Sequence, residues 1–201
     1  MISAAPSRQS RRASAARMLA GLLVAVLALA GWQPEARAEA PTAYMQRVAN
    51  ELIAASRSGS SSAFSAVLRS HADVPWLGMS SLGNYANALP AGERPTYYNG
   101  MINFLGRYAA KEAPKYAVAS GIVTGVAGET KAGVEVDSRL TLKNGDTYDI
   151  RWLLVRRGQG FKVRDAQVLG FWMSPFLKNL FENYIAENGG NPRALVVALN
   201  R

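Results

Sequence analysis

The sequence predicts an α+β domain, with helices packed on a twisted antiparallel sheet of about four strands. Apolar residues recur at helical spacing from about residue 41 to about residue 113, and again beyond Ser174. Between those two segments the apolar residues alternate with polar ones and are punctuated by glycine-containing turns, the pattern of a meander of half-buried strands. Runs of helix, then strands, then helix keep the helices together on one side of a sheet.

"PTAYMQRVANELIAASRS" opens the domain with Tyr44, Val48, Leu52 and Ile53 on one helical face. In "GSSSAFSAVLRSHAD" the serines from Ser60 to Ser62 offer N-caps, and Phe64, Val67 and Leu68 form the next stripe. "PWLGMSSLGNYANAL" is a third helix, interrupted by glycines and ended by Pro90. The fourth begins near Glu93 and carries Tyr97, Met101, Phe104, Leu105 and Tyr108 until Pro114 stops it.

The period then changes from helical to alternating. "KYAVASGIVTGVAG" reads as a strand with a bulge or bend at Gly121 and Gly125. Val134, Val136, Leu140 and Leu142 face one way in the next strand, while Glu135, Asp137, Arg139 and Thr141 face the other. Asn144-Gly145 is expected to supply the positive-φ pair of a tight hairpin, after which Tyr148, Ile150, Trp152 and Leu154 continue the alternation. "RGQG" turns the chain into "FKVRDAQVL". Ser174 is the expected N-cap of the helix that follows, with Pro175 at its first position and Gly189-Gly190 at its end. Asn191-Pro192 starts a final helix with Leu195, Val196 and Leu199 turned inward.

Ahead of all this lies a segment of different character. Arg8, Arg11, Arg12 and Arg17 precede the apolar run "MLAGLLVAVLALAG", and small residues follow at Ala36, Ala38 and Ala40. That order predicts a secretory signal peptide over residues 1–38, cut near Ala38 or Ala40, leaving a single domain over residues 39–201. The expected destination is the periplasm or the cell exterior. From residue 39 onward 18 basic residues face 13 acidic ones, a net charge of +5 that is scattered rather than gathered into a stripe, so nucleic acid is not the expected partner. There is no cysteine, so an exported chain of this kind must be held by packing alone. Monomer is the expected state.

The residues of familiar chemistry are few. His71 is the only histidine and is expected near a helix end, where an exposed or C-terminal imidazole is ordinary, with Asp73 merely near it in sequence. With no cysteine and one histidine, only an all-oxygen metal site is open, and "NGDTYD" lacks the spacing of a calcium loop. No Walker loop, dinucleotide-binding glycine pattern or G-x-S-x-G occurs. What remains is apolar surface, and two readings stay open: a core filled by its own side chains, or facing layers that leave a cavity for a lipid. No cofactor is expected. An enzyme of the small cone-shaped α+β kind, using buried Asp137 or Asp165, and a non-binding structural or adaptor protein are the competing classes.

"SLGNYANALPAGERPTYYNGMINFLGRYAAKEAPKY", with Leu82, Gly83, Tyr85, Glu93, Arg94, Tyr98, Phe104, Tyr108 and Ala109, resembles the MlaC family of auxiliary proteins of bacterial ABC transport systems. "FKVRDAQVLGFW" is similar to that family's aromatic-x-Val-x-Asp strand at Phe161, Val163, Asp165 and Gly170, and the closing helix pair matches at Phe181, Ile185, Gly189, Leu195 and Leu199. Phe161 stands where tryptophan is common, and "GFWMSPF" departs from the usual turn, which points to a subgroup such as the hopanoid-associated relatives. The resemblance implies a periplasmic phospholipid carrier passing lipid between an outer-membrane lipoprotein complex and an inner-membrane ABC transporter complex, with no cofactor and no catalysis. The residues expected to line its cavity are Val136, Leu140, Ile150 and Trp152 from the sheet, and Met101, Phe104, Tyr108, Phe171, Trp172, Phe176 and Leu180 from the helices and the connection, with Trp172 and Phe176 equally placed to guard its entrance. Arg139, Arg151, Arg156 and Arg157 are candidates for head groups or partners, or belong to a solvated strand face.

Overall fold

The computed structural model describes residues 39–201; the expected signal peptide lies outside the described residues. The order of elements is α1 (Pro41–Ser58), α2 (Ser61–His71), α3 (Val74–Ser81), α4 (Arg94–Glu112), β1 (Val118–Thr130), β2 (Gly133–Leu142), β3 (Thr147–Arg157), β4 (Gly160–Val168), β5 (Phe171–Trp172), α5 (Met173–Glu187) and α6 (Pro192–Leu199), with 3-10 turns at Gly83–Ala88, Ala91–Glu93 and Ala113–Lys115. The strands form one antiparallel meander in the order β1-β2-β3-β4-β5. β5 is the addition to the four expected strands: two residues that fold back on β4 before α5 begins.

Local chemistry explains most element boundaries. Pro41 sits in the first turn of α1, where a missing N–H costs nothing. Ser60 Oγ accepts the Ala63 N–H at 3.3 Å and caps α2. Asn191 caps α6 in the same way through Arg193 N at 3.0 Å. The β2–β3 connection corrects the expectation of a two-residue turn. It spans four residues, Gly145 N donates to Leu142 O at 3.0 Å, Asn144 Oδ1 accepts from Asp146 N at 3.1 Å, and Gly145 alone takes positive φ, at 93°. The expected cap of α5 is also corrected. Ser174 lies inside that helix, and its N–H is taken at 3.0 Å by Asp165 Oδ1 from β4, while Ser174 Oγ donates to the other carboxylate oxygen.

Apolar packing falls into two clusters. One gathers Leu82, Leu89, Tyr97, Met101, Ile102, Leu177, Phe181, Ile185, Leu195 and Leu199 among α3, α4, α5 and α6. The other joins Tyr44, Met45 and Val48 of α1 to Val134, Val136, Leu154 and Phe161 on the inner face of the sheet. Between the helices, α2 lies so close to α4 that a Cβ on Gly106 would stand 2.7 Å from the Ser61 carbonyl oxygen, so this crossing admits only glycine without movement. Among the described residues no helix is long and apolar enough to cross a membrane.

Candidate functional site

The second cluster does not close at one end. A cavity of about 290 Å³ opens there, bounded by α1, by the start of α2, by the last turn of α4 and by the inner faces of β1, β2 and β3. From α1 come Ala49, Leu52, Ile53 and Ser56, from α2 Phe64, from the end of α4 Ala109 and Glu112, and from the turn after it Ala113. The sheet supplies Val118, Gly121, Ser138, Arg139, Leu140, Ile150 and Trp152, with Tyr116 just before β1. The space follows from side-chain size: Ala49, Ser56, Ala109, Ala113 and Ser138 are too short to meet across it.

Polar groups at the walls are already engaged. Trp152 Nε1 donates to Ser138 Oγ at 2.8 Å, and that hydroxyl donates on to Ile150 O at 3.4 Å, so the indole offers hydrocarbon to the interior and not its N–H. Glu112 pairs with Lys115 at 2.7 Å. Arg139 is in register with Asp149, and its guanidinium meets that carboxylate at 2.7 Å, which holds the Asp149 carboxyl below the usual aspartate range. The result is a chamber that is apolar within and carries its charge at the lip and outside.

The wall formed by α1 is fastened at both ends. The Gln46 side-chain amide donates to Gly121 O at 3.1 Å and accepts from Val123 N at 2.9 Å, standing in for a neighbouring strand along the open edge of β1. Arg57 donates to Ala119 O at 3.2 Å further along. Toward the other end His71 joins α2 to α1, with Nδ1 3.2 Å from Tyr44 Oη and Nε2 2.8 Å from Glu51 Oε2. His71 closes α2, as its place in the sequence predicts, and is 7% exposed because both ring nitrogens are taken up between the two helices. Burial pushes the Tyr44 hydroxyl up to about 12.

Asp73, expected to matter only by proximity to His71, is instead buried and paired with two arginines, Arg157 and Arg164, each at 2.9 Å. Arg164 also lies over the Trp76 ring at 5.0 Å. Arg151 pairs with Asp137 at 2.8 Å on the outer face, and Arg156 stacks on Phe161 at 4.9 Å. Of the two candidate catalytic acids, Asp137 is thus held by Arg151 and Asp165 anchors the start of α5; neither lines the cavity. Among the described residues no group of three or more His, Asp or Glu side chains is placed to hold a metal.

The expected lining residues divide three ways. Leu140, Ile150 and Trp152 face the cavity. Met101 and Val136 are fully buried core, and Phe104 packs on Phe181 with ring centres 5.9 Å apart. Tyr108, Phe171, Phe176 and Leu180 are exposed, the two phenylalanines at 74% and 63%, and none of them borders the cavity. Trp172 is half-buried and pairs with Gln167, whose other neighbour is Arg151, which puts it on the outer face. Sequence reasoning missed Ala49, Ala109 and Ala113, because a search for apolar bulk passes over the small residues that create room.

Comparison with known proteins adds a family and a fold. The MlaC protein family model matches residues 42–201. No curated protein matches the chain. Among solved structures, the phospholipid-binding protein from Ralstonia solanacearum, determined in complex with a phospholipid at 1.53 Å, superposes with a TM-score of 0.66 at 19% identity, over 81% of this chain and 96% of that one.

Proposed function

This chain belongs to the MlaC protein family, and on that premise we propose that it is a lipid carrier whose cavity shelters the acyl part of a phospholipid. The observation that carries the reading is the chamber of about 290 Å³ between α1 and the sheet, mostly apolar, with the Ser138 hydroxyl and the Trp152 indole N–H in its wall already hydrogen-bonded. It lies just below the range of about 300–1,000 Å³ usual for small-molecule sites, so it suits part of one chain, and a second chain requires the mouth to widen. Each methylene withdrawn from water contributes about 0.8 kcal/mol, which makes tail contact sufficient for retention without a charged pocket. Transfer from a bilayer to the cavity exchanges one apolar medium for another, so loading and release are near balance and a docking partner can tip them.

Leu140, Ile150 and Trp152 are the lining residues on which this proposal rests, joined by Ala49, Leu52, Ile53, Phe64 and Ala109. Residues 1–38 act as a signal peptide, residues 39–201 form the lipid-binding domain, and the carrier works as a monomer in the periplasm between an outer-membrane lipoprotein complex and an inner-membrane ABC transporter complex. No cofactor takes part, and no catalysis.

Native mass spectrometry of protein recovered after export tests the carrier. Copurified phospholipid is the expected result, and protein that is empty and ignores added lipid overturns the reading. Leu140→Trp and Ile150→Trp place a large ring in the chamber and are expected to reduce bound lipid about tenfold or more while folding persists. A loss of stability with lipid retained assigns those positions to core.

A further inference from the structure

Between Leu169 and Leu180 the chain exposes an unusual amount of hydrocarbon. Leu169 is 70% exposed, and Phe171, Met173, Phe176 and Leu180 are exposed beside it in sequence. Met173, Phe176 and Leu180 follow the i, i+3, i+7 spacing of one stripe on α5, while Leu177, Phe181 and Ile185 on the opposite side are buried. The first half of this helix is therefore apolar on both sides, and only one side is covered by the protein. Leu169 adds to the anomaly: it is the one non-glycine residue with positive φ among the described residues, at 52°, followed by Gly170 at 83°. A leucine is thus held in a conformation better suited to asparagine or glycine, with its side chain turned to solvent.

One row of the sheet runs from the cavity wall toward the patch. Ile150, which lines the chamber, is in register with Val168 on β4, and Val168 is in register with Phe171 on β5. Residues opposite one another across a ladder share a face, so Ile150, Val168 and Phe171 form an apolar row leading from the chamber to the exposed edge of the sheet. No acid is presented along it. From Ala166 to Phe181 the chain contains no Asp or Glu and one lysine, Lys178. The acids flanking that stretch are turned into the fold, Asp165 onto Ser174 and Glu182 onto Asn84 N at 2.7 Å.

From this row and this charge pattern we infer that the β4–β5 turn and the outer stripe of α5 form a bilayer-docking surface. Leu169, Phe171, Phe176 and Leu180 enter the interfacial region of a membrane, and a tail moves between bilayer and chamber along the Ile150–Val168–Phe171 row without crossing water. The absence of acids suits a surface containing anionic lipid, and an aromatic and leucine face beside a lysine is the composition of an interfacial helix. The inference rests on the carrier reading for its cargo.

Flotation with vesicles of phosphatidylethanolamine and a minority of phosphatidylglycerol tests it, using residues 39–201, within which both apolar clusters lie. Capture of a fluorescent fatty acid from vesicle-free solution is read in parallel. The unmodified protein is expected to float, at raised salt as well, and the double variant Phe176→Ser, Leu180→Ser to lose vesicle partition about tenfold while still capturing the fatty acid. In a Phe171→Trp protein, emission is expected to be quenched by brominated acyl chains. Failure of the unmodified protein to float, equal flotation of the double variant, or sedimentation as a patch-dependent dimer with no vesicle contact overturns the docking surface. Flotation without fatty-acid capture leaves the surface standing and overturns the carrier.

Discussion

The apolar cluster among α3, α4, α5 and α6 is filled, whereas the one between α1 and the sheet ends in a cavity. Both draw on the same residue types. In the helical cluster Tyr97 and Phe181 meet edge to face with ring centres 6.4 Å apart, Phe104 tilts against Phe181, and Met101 and Ile102 occupy the remaining space. Where α1, the end of α4 and the sheet converge, alanine, serine and glycine stand at the points of nearest approach. The difference teaches that a cavity in this protein is a matter of side-chain reach between walls that are fixed elsewhere, α1 being tied to β1 by Gln46 and Arg57.

The largest expected effect comes from opening the filled side. Phe181→Ala removes a ring at the centre of the helical cluster and is expected to cost about 3–5 kcal/mol, read as a lower denaturant midpoint with little change in slope. A cost below about 1 kcal/mol would erase the contrast between the clusters. Tyr44→Phe is intermediate, because it takes a hydroxyl from the His71 bridge between α1 and α2 and is expected to cost about 1–2 kcal/mol near neutral pH. Its alkaline behaviour sharpens the point. A Tyr44 hydroxyl pushed up to about 12 by burial contributes stability that is fully present below about pH 10, the unfolded value, and is lost as pH rises toward about 12. The Phe variant is expected to show a shallower fall across that window in a stability–pH profile. The smallest change in stability should come from filling the open side. Ala49→Leu places three more carbons in space already vacant, so folding free energy is expected to move by less than about 1 kcal/mol while lipid capacity measured by mass spectrometry falls. A large destabilisation would mean that α1 and the sheet are as tightly matched there as the helices are elsewhere.

Much of this architecture is legible in the sequence. The first helix runs from Pro41 to Ser58 as its stripe and proline predict, and the alternation through Val134, Val136, Leu140, Ile150, Trp152 and Leu154 places the inner face correctly. Periodicity reports which side of an element is apolar, and these elements each have one apolar side. It fails for α5, where both sides are apolar: Leu177 and Phe181 go inward, Phe176 and Leu180 outward, and spacing does not say which. It fails again for His71, Asp73 and Asp165, whose partners Glu51, Arg157 and Ser174 come from other elements of the fold.

What the sequence by itself determined is the order and type of the elements, the inner face of the sheet and the scarcity of reactive side chains. These depend on local periods and on composition, which the chain carries without folding. Only the tertiary structure decided that Leu140, Ile150 and Trp152 face a chamber while Met101 and Val136 fill a core, and that Phe171 and Phe176 lie outside both. A side chain becomes wall or filling according to what stands opposite it, and in this protein what stands opposite is an alanine, a glycine or a ring brought from a distant part of the chain.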